Sequence, residues 1–431
     1  MKVARVLLPL ALALLLVAGL LAYLWLNLGS AAQAFRMRPQ RNPLTANLQG
    51  LSMEGEEETG GAALTHVREG DSRALAGDWK GAQEAYEAAV AADGGVTALK
   101  KLALAQLQRR DTKAVSNTIE RLRREGARAE DLLLLSTTLA LHQENLPRAQ
   151  ELLAKAGESP HRHYGSALLA IVQGEHPQAQ AELRLTLDGW DPVLRTYART
   201  LLDAYEEFAL FPQSPPIHLS TLLSRSLAQV QECALALPLL GRVTAEQDDY
   251  RDAWIVQGYC QLITERTQEA LASFERSYTL DPQKPEIQYF LGRTYGAMED
   301  HKNALTFLQY ALTNGFKPEK DVRRAIATEA EKAGDVQLAF EQEKILATAS
   351  GTDLASITAF VDLALRAQRQ EDAFEAAERA TLRWPESAAA YALLGSAAEA
   401  AGKTEEARAA YGRALELDGT LDDVKGKLLN L

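Results

Sequence analysis

Residues 251–284 read RDAWIVQGYCQLITERTQEALASFERSYTLDPQK, and residues 285–318 read PEIQYFLGRTYGAMEDHKNALTFLQYALTNGFKP. Laid one over the other, the two stretches keep one phase. Gly258, Ala270 and Phe274 of the first are answered 34 residues later by Gly292, Ala304 and Leu308 of the second. Within each stretch the apolar residues recur three and four positions apart, the helical period, with no β-branched alternation that would suggest a strand. A fixed period of this length marks stacked supersecondary units, none of which can bury its apolar face alone.

The pattern extends in both directions. Near the C-terminus it returns as Tyr391, Leu394 and Gly395, then Ala407, Tyr411 and Ala414. Together with Trp254, Gly258, Ala270, Phe274 and Pro282, these residues resemble the tetratricopeptide repeat, whose order is Trp, Leu-Gly, Tyr, then Ala, an aromatic and Pro. The resemblance implies a right-handed all-α solenoid of helix pairs. Small residues at repeat positions 8 and 20 let the two helices approach. A large apolar residue at position 24 fills the gap to the next unit, and Pro, Gly or Asp near position 32 stops the second helix.

Placing alanine at position 20 gives ten units, marked by Ala82, Ala114, Ala149, Ala179, Ala236, Ala270, Ala304, Ala339, Ala373 and Ala407. The last six are 34 or 35 residues apart, and the first four are looser. The expected organisation is a block over residues 63–193, an extra segment over 194–216, a second block over 217–419 and a capping helix over 420–431. In the extra segment residues 196–211 read as a helix, followed by Pro212, Pro215 and Pro216, which cannot continue one. Two readings of it stand side by side, a joint between blocks and a degenerate unit that lost a helix.

The N-terminus is of another kind. Residues 6–26 carry no charge, and a helix of 21 residues spans about 30 Å, the hydrocarbon thickness of a bilayer. Lys2 and Arg5 precede the run, while Tyr23 and Trp25 lie near its far end, as interfacial rings do. It reads as a single-pass anchor. The competing reading is a cleaved leader, with Ala32-Gln33-Ala34 as the site. Lys2 and Arg5 favour an exported body, on the extracytoplasmic side of a bacterial inner membrane. Arg36, Arg38 and Arg41 pull toward a cytoplasm-facing one, as in an envelope-assembly regulator. Residues 27–62, with Pro39, Pro43 and the acids Glu54, Glu56, Glu57 and Glu58, read as a flexible tether.

Charge and composition narrow the function. The net charge is −12, and the first 50 residues contain five basic residues and no acid, so the body is more acidic than the total. An acidic body repels phosphate backbones and argues against nucleic acid. Residues 397–404 mimic a phosphate loop, but they straddle the turn inside the last unit, with Gly402-Lys403-Thr404 as that turn and Thr404 as a helix cap. No nucleotide is expected. His161 and His163, two apart, read as a surface pair rather than metal ligands, and no nucleophile elbow, zinc motif or carboxylate pair is visible. Neither catalysis, cofactor nor metal is expected. The two cysteines, Cys233 and Cys260, fall where a second helix begins and the following first helix ends, which allows them to be neighbours or a disulfide pair.

The resemblance further implies a concave groove lined by positions 2, 5, 9 and 12 of the first helices. The Lys and Asn set with which some members grip a C-terminal carboxylate is missing here. The middle units offer Arg225, Tyr259, Tyr289, Arg293 and Arg324 instead, and Tyr and Arg are common interface anchors. The expected role is a membrane-anchored scaffold for partner proteins or peptides.

Overall fold

The computed structural model describes residues 61–75 and 77–431, all within one compact body. The expected anchor (residues 6–26) and nearly all of the expected tether lie outside the described residues. Gly61 and Ala62, read as the tether's end, instead begin the first helix. Among the described residues there are twenty-two helices and no strand, and no helix is long and apolar enough to cross a membrane.

Four helix pairs come first: α1 (Gly61–Leu75) with α2 (Trp79–Ala91), α3 (Gly95–Gln108) with α4 (Thr112–Arg124), α5 (Ala129–His142) with α6 (Leu146–Lys155), and α7 (Pro160–Gln173) with α8 (His176–Leu187). A single helix, α9 (Pro192–Ala209), follows. Six more pairs complete the array: α10 (Pro216–Gln229) with α11 (Cys233–Glu246), α12 (Arg251–Ile263) with α13 (Thr267–Leu280), α14 (Pro285–Ala297) with α15 (His301–Thr313), α16 (Glu319–Lys332) with α17 (Val336–Thr348), α18 (Leu354–Arg366) with α19 (Gln370–Arg383), and α20 (Ala388–Ala400) with α21 (Thr404–Leu417). A last helix, α22 (Asp422–Asn430), covers the end. The result is an all-helical solenoid of tetratricopeptide type.

Four pairs are closed by the small-against-large contact that the period implied, Gly70 on Tyr86, Gly258 on Phe274, Gly292 on Leu308 and Gly395 on Tyr411. A β-carbon on Gly258 would come within 2.8 Å of the Phe274 ring, and one on Gly395 would strike Tyr411. Nine of the ten position-20 alanines are wholly enclosed. The exception corrects the register of the second unit: Val115 is enclosed there, while its neighbour Ala114 is half-exposed. Alanine abundance misled the phase by one residue, because two adjacent small apolar residues are indistinguishable by pattern alone.

The turns inside the units are equally regular. Each contains one residue in the left-handed region, namely Gly77, Arg110, Glu144, Gly174, Gln231, Glu265, Glu299, Gly334, Gln368 and Gly402. That conformation costs an L-residue about 1–2 kcal/mol. Gly402 has φ +72° and open space around its α-carbon. Gly402→Ala is therefore expected to destabilise the last unit by about 1 kcal/mol through backbone strain alone, read as a lowered thermal midpoint. Thr404 does not cap α21. Lys403 occupies the cap position and Thr404 is the first helical residue, without a side-chain cap bond.

The single helix α9 starts at Pro192, earlier than its apolar pattern suggested, because Asp191 caps it by accepting from the amides of Val193 and Leu194. It packs on α8 and α10 and also touches α7, as each first helix touches the one before it. No second helix separates it from α10. The apolar core around it is continuous from Ala140 to Cys260, whereas later units are held by separate, local clusters.

Candidate functional site

The middle units bring four of the five groove residues together. Tyr259 on α12, Tyr289 and Arg293 on α14 and Arg324 on α16 stand on successive first helices. Residues four apart on a helix share a face. Accordingly, the Arg293 guanidinium lies over the Tyr289 ring at 5.9 Å and donates to its hydroxyl at 3.2 Å. Arg293 is an exposed residue overall, and while burial of its guanidinium acts to lower its pKa, Tyr289, Tyr259 and the Glu329 carboxylate outweigh that and raise it. Burial pushes the Tyr259 hydroxyl well above its ordinary pKa, the neighbouring Arg293 only partly countering this, so it stays a neutral donor at physiological pH. Arg324 is exposed and donates to Ser356 Oγ on α18 at 3.0 Å.

The tyrosines are not alike. Tyr289 is 5 % exposed, stacked on Phe316 at 4.3 Å and edge-on to Phe290. Its ring is inter-unit packing on Phe316 and Phe290, and Arg293 meets it at the hydroxyl and over the ring. Tyr259 is half-buried, with its ring edge-on to Phe290 at 5.5 Å. Acids temper the cations: burial raises the pKa of Asp321 and of Glu343, and Arg324 acts against that rise in both. These residues therefore offer guanidinium donors, phenol hydroxyls and flanking carboxylates.

Arg225 does not join this group. It is spent in an ion pair with Glu207 of α9 and so braces the single helix against α10. Cys233 opens α11, Cys260 lies near the end of α12, and the structure pairs them as a disulfide, with α-carbons 5.0 Å apart.

Two features escaped the sequence reading. An open cleft of about 410 Å³ lies between α12 and α13, lined by Trp254, Gln257, Gln261, Ser273 and Arg276. Ser273 donates to Gln261 at 2.7 Å, and Thr244 of α11 donates to Gln257 at 3.2 Å. The signal was present, since Gln257 and Gln261 stand where the next unit has Leu291 and Tyr295. The second feature overturns the surface reading of His161. It is buried, and its Nε2 lies 3.7 Å from Asp131 and 3.6 Å from Asp191, each on a different first helix or its cap. His163 is half-buried between Glu158 and Glu182. Two-residue spacing says nothing about partners supplied by neighbouring units. Among the described residues no group of side chains is arranged to hold a metal ion.

The profile of the tetratricopeptide repeat family matches residues 221–285 and 358–421. No curated protein matches the chain. Among solved structures, the chain is similar to YrrB, a TPR protein with an unusual peptide-binding site (17 % identity, 44 % of this chain and 96 % of that one, TM-score 0.37). It is also similar to a tetratricopeptide repeat protein from Parabacteroides merdae (15 % identity, 63 % and 98 %, TM-score 0.35). A third is PilW, a type IV pilus biogenesis factor (16 % identity, 50 % and 99 %, TM-score 0.39).

Proposed function

We propose that this array of tetratricopeptide repeats is a membrane-anchored scaffold that holds a segment of a partner protein along the first helices of its middle units. One observation carries the reading: Tyr259, Tyr289, Arg293 and Arg324 follow one another along three successive first helices, and both arginines are exposed residues. A guanidinium fork beside a neutral phenol suits backbone carbonyls and carboxylates of an extended or helical segment. Such a site binds by many modest contacts and performs no chemistry, so the role is capture rather than catalysis. The anchor rests on the uncharged run at residues 6–26, and the extracytoplasmic placement on Lys2 and Arg5.

Peptides displayed on phage and selected on the detergent-solubilised full chain test the groove. Arg293→Glu and Arg324→Glu are each expected to weaken the selected peptides by about 1–3 kcal/mol, the range of interface anchors. Unchanged capture by both variants removes this groove from consideration. For the anchor, the native full-length protein should stay with membranes through carbonate washing, since a spanning apolar helix inserts effectively irreversibly. A soluble mature chain beginning at Phe35 would instead identify Ala34 as a cleavage site.

A further inference from the structure

Residues far apart in sequence meet at the turns inside the units. Gln108, ending α3, donates to the carbonyl of Gln231 in the α10–α11 turn. Arg109 donates to Glu265 in the α12–α13 turn through Nε at 2.9 Å and Nη2 at 3.2 Å. His142, ending α5, sets its Nε2 3.0 Å from Glu232 Oε2. Ile263, ending α12, packs against the apolar cluster that Ala74, Trp79 and Tyr86 of the first unit form with Leu102 and Ala105 of the second. A β-carbon on Gly77 would come within 2.9 Å of the Ile263 side chain. The first three units thus clasp two turns that belong to the fifth and sixth.

The disulfide adjoins this clasp along the chain on both sides. Gln231 and Glu232, which the clasp holds, run straight into Cys233. Cys260 stands one helical turn before Ile263 and Glu265, which it also holds. Both cysteines are enclosed, at 1 % and 0 % exposure, and their remaining neighbours belong to the continuous apolar core. The disulfide joins the two clasped turns to each other. The clasp contacts fall on the residues that flank both cysteines, Gln231 and Glu232 before Cys233 and Ile263 and Glu265 after Cys260.

We propose that this clasp is a redox-linked latch: its opening admits reductant to the Cys233–Cys260 disulfide, and loss of the disulfide in turn loosens the clasp. The reductant is a small dithiol. Its thiolate attacks one sulfur and the Cys233–Cys260 bond breaks. The departing sulfur leaves with the electron pair and takes a proton, and the second thiol of the reductant completes its own disulfide, a two-electron exchange that leaves two cysteine thiols. Coupling in both directions is required by linkage, because one free energy connects the clasped state and the oxidised state.

The test uses the full-length chain in detergent with dithiothreitol, followed by iodoacetamide and intact-mass counting of alkylated cysteines over time. Wild-type protein is expected to reduce slowly. The double variant Gln108→Ala/Arg109→Ala is expected to reduce about 10-fold faster or more, as losing hydrogen bonds to a charged group implies. Arg379→Ala, on α19, serves as the control and should match wild type. In the second arm, hydrogen exchange is compared before and after reduction of the same wild-type protein. Amides in residues 105–112 and 142–146 should exchange about 10-fold faster after reduction, by the same bonds, while residues 388–431 stay unchanged. Equal reduction rates in variant and wild type overturn the proposal. So does unchanged exchange at the clasp, or alkylation of both cysteines without any reductant.

Discussion

Tyr289→Ala is expected to remove about 3–5 kcal/mol of stability, the cost of emptying a large aromatic site in a core. The ring is almost fully enclosed, stacked on Phe316 from the inter-unit turn and edge-on to Phe290. Its loss opens a cavity between the seventh and eighth units and withdraws the hydroxyl that orients Arg293. The expected readout is a marked drop in the thermal midpoint. Arg293→Ala, at an exposed residue, should melt close to wild type and show its effect in peptide capture instead. The pair separates packing from recognition at positions four residues apart on one helix. An undisturbed midpoint for Tyr289→Ala would place the ring in the groove rather than between units.

The second large effect lies in the N-terminal block. The Asp131 carboxylate is buried, bonded to Arg128 at 3.0 Å and to Lys100 at 3.2 Å, with His161 close by. Burial alone would raise its pKa, but His161, Arg128 and Lys100 together outweigh burial and hold it well below the ordinary carboxylate range. A depressed folded-state pKa contributes stability above the unfolded value, near 4, and that contribution is lost as the pH falls through the folded value. Asp131→Asn is thus expected to cost about 3 kcal/mol at pH 7, in the range for removing one partner of a buried charge cluster. The gap to wild type should narrow steadily below about pH 4, where Asp131 of the unfolded chain begins to take up a proton while the folded carboxylate stays charged. Urea titrations of both proteins at pH 7, 5 and 3 check this. A gap that stays constant down to pH 3 would assign the cost to side-chain shape rather than charge.

Much of the architecture was readable because repeat packing is local. The enclosed alanines, the Gly258–Phe274 and Gly395–Tyr411 contacts and the regular turns are all made within a unit or with its neighbour. A 34-residue period therefore carries their geometry directly, and the grouping of Tyr289 with Arg293 follows from helical spacing alone. The reading slipped where local pattern is ambiguous. Adjacent Ala114 and Val115 left the register open by one residue, and apolar periodicity started α9 too late where the Asp191-Pro192 cap was the better signal.

What the amino-acid sequence determined by itself is the helix-pair unit, its number of repetitions and the residues offered along the first helices. Each depends on contacts between residues fewer than about forty positions apart, and such contacts leave a period. What only the tertiary structure decided is where distant units meet. Gln108 reached the Gln231 carbonyl, His142 met Glu232, and Arg109 found Glu265 across more than 150 residues. These pairings depend on how small unit-to-unit rotations accumulate along the array and on the single unpaired helix α9. That accumulated rotation has no period and leaves no local trace in the chain.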